Sequence, residues 1–142
     1  MKQRVALMSA ALWWGSLTAI GFVVVPMLFA HLATPAMAGT MAARLFTAQS
    51  WISIACALVL LMATMRRDTD EDDAPSAPPP AVVLPIVAGL LLALLVEYAV
   101  APRIVARENL KLWHSVGTGM YVVQWLCAGA ALWRLGQYRA RD

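Results

Sequence analysis

His31 and His114, the two histidines, are the residues that point most directly to chemistry. Met27 lies four residues before His31, one helical turn away, and Met37 and Met41 are also four apart. A neutral imidazole with thioether sulfurs is a donor set that soft Cu(I) accepts. Two imidazoles from different helices can instead ligate a haem iron. His31, His114 and Met27 are therefore the candidate metal ligands. The competing reading is interfacial histidine, with methionine as an adaptable filler of apolar helices. Glu97 is a second candidate, the one acid inside an apolar stretch. Gly89, Ala93, Glu97 and Ala101 recur every fourth residue, a small-residue face of the kind that packs closely in membrane bundles. An acid in hydrocarbon is costly, so Glu97 is protonated, paired with Arg44 or Arg103, or part of a proton or cation relay. In the last apolar stretch His114, Gly117, Tyr121 and Gln124 share one helix face by their spacing of three, four and three. Glu97, Tyr121 and Gln124 thus form the expected buried polar face. No nucleophile–base–oxyanion set, Gly-rich phosphate loop or CxxC pair occurs, so no catalytic residue is assigned. Cys56 and Cys127 stand singly in apolar runs and read as small packing residues, not as a disulfide or zinc pair.

The composition says what must hold these side chains. The chain is 61% hydrophobic and 13% charged, where a soluble domain is nearer ~45–50% and ~25%. It has too little polar surface to cover a core in water. The run LWWGSLTAIGFVVVPMLFAH carries no charged residue and matches the ~20 apolar residues that cross a bilayer. Four spans are expected, at about residues 5–32, 40–65, 81–105 and 113–135. The fold class is all-α, an integral membrane four-helix bundle of two helical hairpins, in a single membrane domain over residues 1–142. The basic start, the apolar run and Ala36-Met37-Ala38-Gly39 imitate a signal peptide. The apolar run is much longer than the ~7–15 residues of a signal, so a retained span is expected. Pro26 and Pro102, near the ends of the odd-numbered spans, remove backbone donors and kink their helices, which a bundle tolerates.

Residues 66–80 are of another composition. Arg66-Arg67 is followed by DTDEDDAPSAPPP, acid and proline that exclude both helix and core, and so a solvated linker. The positive-inside rule sets the orientation. Lys2, Arg4, Arg66, Arg67, Arg134, Arg139 and Arg141 fall on one side, against Arg44, Arg103, Arg107 and Lys111 on the other. Both termini and the linker are expected in the cytoplasm, with the two short turns outside a bacterial inner membrane. The net charge of +3 is spread between apolar runs. That pattern suits headgroup anchoring, so the lipid bilayer is the expected partner and nucleic acid is not.

An internal echo links the halves. Val23-Val24-Val25-Pro26-Met27-Leu28 resembles Ala99-Val100-Ala101-Pro102-Arg103-Ile104, each closing an odd-numbered span. LWWGSLTAIGFVVVP, AG-x-MAARLFTAQSW, APRIV and LWHSVGTGMY together resemble the bacterial domain of unknown function 4149 family, itself similar to human transmembrane protein 205. Gly15, Gly21, Pro26, Phe29, Ala38-Gly39 and Leu45-Phe46 carry the likeness. The resemblance implies a small four-helix membrane protein with no assigned reaction. The human relative's association with platinum-drug resistance makes metal handling a permitted reading.

The expected role is that of a polytopic inner-membrane protein without enzymatic activity of its own. One alternative is a copper or haem site at the outer end of the bundle. Another is a small proton-coupled or solute transporter using Glu97. Four helices make a thin wall for a path, so that role would call for a homodimer.

Overall fold

The computed structural model describes residues 2–65 and 80–139. The first span is built of α1 (Lys2–Thr18), a π-helical segment π1 (Ala19–Val24) and α2 (Val25–His31). The second is one continuous helix, α3 (Pro35–Met65). The third repeats the construction of the first: α4 (Pro80–Leu95), π2 (Val96–Val100) and α5 (Ala101–Val105). The fourth is α6 (Leu110–Arg139). The shortest apolar span, Pro80–Val105, has 26 residues, about 39 Å at a 1.5 Å rise. All four are long and apolar enough to cross the ~30 Å hydrocarbon core. The linker expected at 66–80 lies, apart from its last residue, outside the described residues.

Local chemistry sets the turns, and both are tighter than the sequence pattern suggests. The second span begins at Pro35, not near residue 40. Thr34 accepts the Met37 N–H on its hydroxyl at 3.3 Å and the Ala38 N–H on its carbonyl at 3.2 Å. With proline in the first helical position, where no N–H is needed, Thr34 is a helix N-cap. The second turn is confined to residues 106–109, and the fourth span starts at Leu110 instead of near 113. Arg107 takes a left-handed backbone, φ 56°. Its N–H donates to the Ile104 carbonyl at 3.1 Å, while the Glu108 N–H donates to the Arg103 carbonyl at 3.0 Å. This is a Schellman closure, with arginine in the position that glycine usually fills.

Prolines explain the breaks in the helices. In both odd-numbered spans the residue just before the proline donates five residues back: Val25 N–H to Ile20, and Ala101 N–H to Val96. The next residue, Pro26 or Pro102, has no N–H, so a carbonyl one turn upstream loses its donor. The hydrogen-bond ladder widens by one residue ahead of each gap. Pro85 removes the donor that would otherwise reach the Ala81 carbonyl four residues back. Arg134 supplies it from the fourth span, its guanidinium donating to Ala81 O at 2.8 Å.

The spans form a ring in sequence order. The first packs on the second and fourth, and the third packs on the same two. Buried positions recur at spacings of three and four: Ala6, Ala10, Trp13 and Leu17 in the first span, and Val82, Ile86, Gly89 and Ala93 in the third. Half are alanine or glycine, because helices in lipid gain by close backbone approach rather than by hiding apolar surface from water. The outward positions are apolar too: Met8 is 74% exposed, Leu84 70% and Trp133 70%. A protein with such a surface is covered by lipid tails.

Candidate functional site

Both turns, 32–34 and 106–109, lie at one end of the bundle, called here the turn end. His31 closes α2 there and is exposed, as is His114 in the second turn of α6. His31 Nδ1 lies 3.0 Å from the Met27 carbonyl oxygen. A carbonyl only accepts, so Nδ1 carries the hydrogen. Met27 itself is 55% exposed, so all three sequence-predicted ligands sit on the outer surface of this end. Met37 and Met41 line a shallow hollow of about 350 Å³ with Ala36, Thr40 and Arg44. The arginine there works against a second cation. Arg103 stacks its guanidinium 4.3 Å from the centre of the Trp113 ring, which ties α5 to α6.

Glu97 lies inside π2 and is half-buried, next to the fully covered face of Val100. Gly117, from the expected polar face of the fourth span, receives this kinked segment. A Cβ there would stand 3.3 Å from Val100 Cγ1 and 3.7 Å from Ile104 Cδ1. Helices that break their α ladder in this way often do so at functional positions.

Tyr121 is a strut. Its hydroxyl donates to the Leu17 carbonyl at 2.7 Å. Its ring lies so close over Gly21 that no Cβ fits, and it meets Phe46 edge-on at 5.3 Å. One side chain of the fourth span thus fixes the first and second. Beside it, Trp125 donates its indole N–H to Thr18 Oγ1 at 2.8 Å and stacks on Trp14 at 5.8 Å. Gln124 is 3% exposed, as its place on the polar face requires.

Sequence reasoning missed Gln49. It is 2% exposed in the middle of the second span, donating through Nε2 to Ser16 Oγ at 3.0 Å and to Ser53 Oγ at 3.2 Å. Its signal was present: Gln49 and Ser53 are one turn apart in an otherwise apolar helix, where polar groups act as interhelical glue. Among the described residues no group of three or more His, Cys, Asp or Glu side chains converges to hold a metal ion.

Comparison with known families decides the affiliation: the family described as Domain of unknown function (DUF4149) matches residues 8–111. The chain belongs to the DUF4149 family. No curated protein and no solved structure matches it. The DUF4149 match takes in the first span from Met8 onward, the whole of the second and third, both π–proline segments, Gln49, His31 and Glu97. The fourth span, with His114, Tyr121 and Gln124, lies beyond the matched residues except for its first two positions. The family description carries no reaction, ligand or partner, so the chemistry must be read from this chain's own residues.

Proposed function

We propose that this DUF4149 protein is a non-enzymatic multi-pass protein of the bacterial inner membrane that passes a proton, or a small solute coupled to one, through the turn-end half of the bundle. Glu97 is the carboxyl assigned to carry the proton. The observation that supports this is its place in π2, a segment with a counterpart in π1, each followed at once by a proline-led helix. An acid within an apolar span marks a functional position, and a segment that has given up its regular hydrogen bonding has a backbone that can adjust around it. Two copies would provide the wall that four helices alone do not.

A carboxyl that binds a proton within the bilayer reacts with a hydrophobic carbodiimide only while protonated. Purified protein in detergent is expected to gain one adduct at Glu97, faster at low pH than at high pH, and Glu97→Gln is expected to gain none. Labelling elsewhere only, or labelling of Glu97 that ignores pH, would remove the proton reading.

The orientation proposed is that of the Arg and Lys asymmetry, with both termini cytoplasmic. A periplasm-active reporter inserted at Thr34 is expected to be active, and one fused after Arg139 inactive. The reverse pattern would invert the protein.

A second reading is copper or haem at the turn end, and one observation favours it. The Nδ1–H of His31 is held by the Met27 carbonyl, the orienting bond that metal-ligating histidines commonly make. Stoichiometric copper or a Soret band in the purified protein, lost in His31→Ala, would support it over the carboxylate.

A further inference from the structure

Three buried polar atoms make no hydrogen bond among the described residues: Trp13 Nε1, Gln49 Oε1 and Gln124 Nε2. Their side chains are 0%, 2% and 3% exposed. An orphan polar atom in a membrane interior is costly, and three in one bundle call for a common cause.

The contacts place them within about one helical turn of one another in depth. The second and fourth spans run in the same direction, and Phe46 meets Tyr121 between them. Three residues further along each helix, about 4.5 Å deeper, come Gln49 and Gln124. Gln49 donates to Ser16, three residues after Trp13 in the antiparallel first span. Trp13 in turn crosses the bundle to Gly89, which also faces Cys127, three residues beyond Gln124. Tyr121 and Phe46 therefore close this level from the turn end, and the Trp13 indole closes it from the other. Counted along α3 and α6, Gln49 and Gln124 each stand fourteen residues from the helix start, near mid-helix.

The inventory of the orphans defines what can sit among them. Two are donors, an indole N–H and an amide N–H, and one is an amide oxygen that only accepts. A bare cation cannot accept from the donors, and a fully deprotonated anion cannot donate to Gln49 Oε1. A small neutral molecule that does both satisfies all three, and water, with two hydrogens and two lone pairs, is the smallest. We propose that Trp13, Gln49 and Gln124 form a midplane binding site for one water molecule, held between three helices. The inference is independent of Glu97, which belongs to a different segment.

The test is nuclear magnetic resonance of deuterated, nitrogen-15-labelled protein in detergent micelles, with ordinary water as the probe. The Trp13 indole signal is identified as the one lost in Trp13→Phe. It is expected to show a cross-relaxation peak to water of the sign given by a long-lived bound molecule, and to lose it in Gln49→Leu/Gln124→Leu. A Trp13 indole without that peak in the unmodified protein would overturn the site, whether or not the double variant folds. So would a peak unchanged in a folded double variant.

Discussion

Trp13→Ala is expected to lower unfolding stability in detergent by about 3 kcal/mol or more, among the largest effects of any single substitution in the chain. Trp13 is 0% exposed and is the largest wholly buried side chain. Its indole spans the bundle from the first helix to the third, and the hole it leaves cannot be closed by four helices already in mutual contact. The complementary change is Gly89→Ala. A Cβ at Gly89 would stand 2.6 Å from Trp13 Cη2 and 2.8 Å from Cζ2, inside any tolerable contact. Overpacking of this kind costs about 1–3 kcal/mol, although alanine is the better helix former. The two sites are coupled, so Trp13→Phe, which shortens the ring, is expected to recover part of the loss in Gly89→Ala. Thermal unfolding of the two single variants and the pair, in one detergent, measures this. A Gly89→Ala protein as stable as the unmodified one would mean that the indole does not occupy that groove.

Gly21→Ala is the second large effect, at about 2–4 kcal/mol. The Tyr121 ring covers Gly21, and its hydroxyl is fixed on the Leu17 carbonyl. The ring cannot yield to a methyl group without giving up that hydrogen bond, so the overpacking cost of about 1–3 kcal/mol adds to about 1 kcal/mol for the bond. Gly15 is the control, because nothing stands within 4 Å of a Cβ there. Gly15→Ala is expected to be neutral, or to stabilise by up to about 1 kcal/mol through helix propensity alone. Denaturation midpoints that fail to separate the two glycines would contradict the packing described at Tyr121.

The four spans were legible because lipid imposes a length and a composition that water does not, and Pro80–Val105 falls within a residue of its expected limits. The turns were less so. Thr34-Pro35 is a complete start signal for a helix, yet in a run of apolar residues its five-residue extension of the second span is easily taken for loop. Arg107 gives no warning at all, since a left-handed closure normally announces itself by glycine. Among the site residues, helical spacing put Tyr121 and Gln124 on one face with His114, and the structure leaves His114 exposed. Gln49 escaped because its row, Gln49 and Ser53, is shorter than the row His114, Gly117, Tyr121 and Gln124, yet the deepest polar contacts here are made by such uncharged amide and hydroxyl groups. Gly15 and Gly21 looked alike in the sequence. Only a neighbour from a helix a hundred residues away distinguishes them, and one-dimensional pattern does not carry that. The π segments were hidden for a related reason: proline predicts that a carbonyl is released, but not that the ladder widens upstream to meet the loss.

Those paired segments also bear on how alike the two hairpins are. One extra residue per widened turn, placed directly ahead of a proline, is a small and specific lesion in a helix, and it occurs in both the first and the third spans. Set on their prolines, the two differ at one telling place: five residues before Pro26 stands Gly21, under the Tyr121 ring, and five residues before Pro102 stands Glu97. The same backbone device thus admits a close approach in one hairpin and carries the acid in the other.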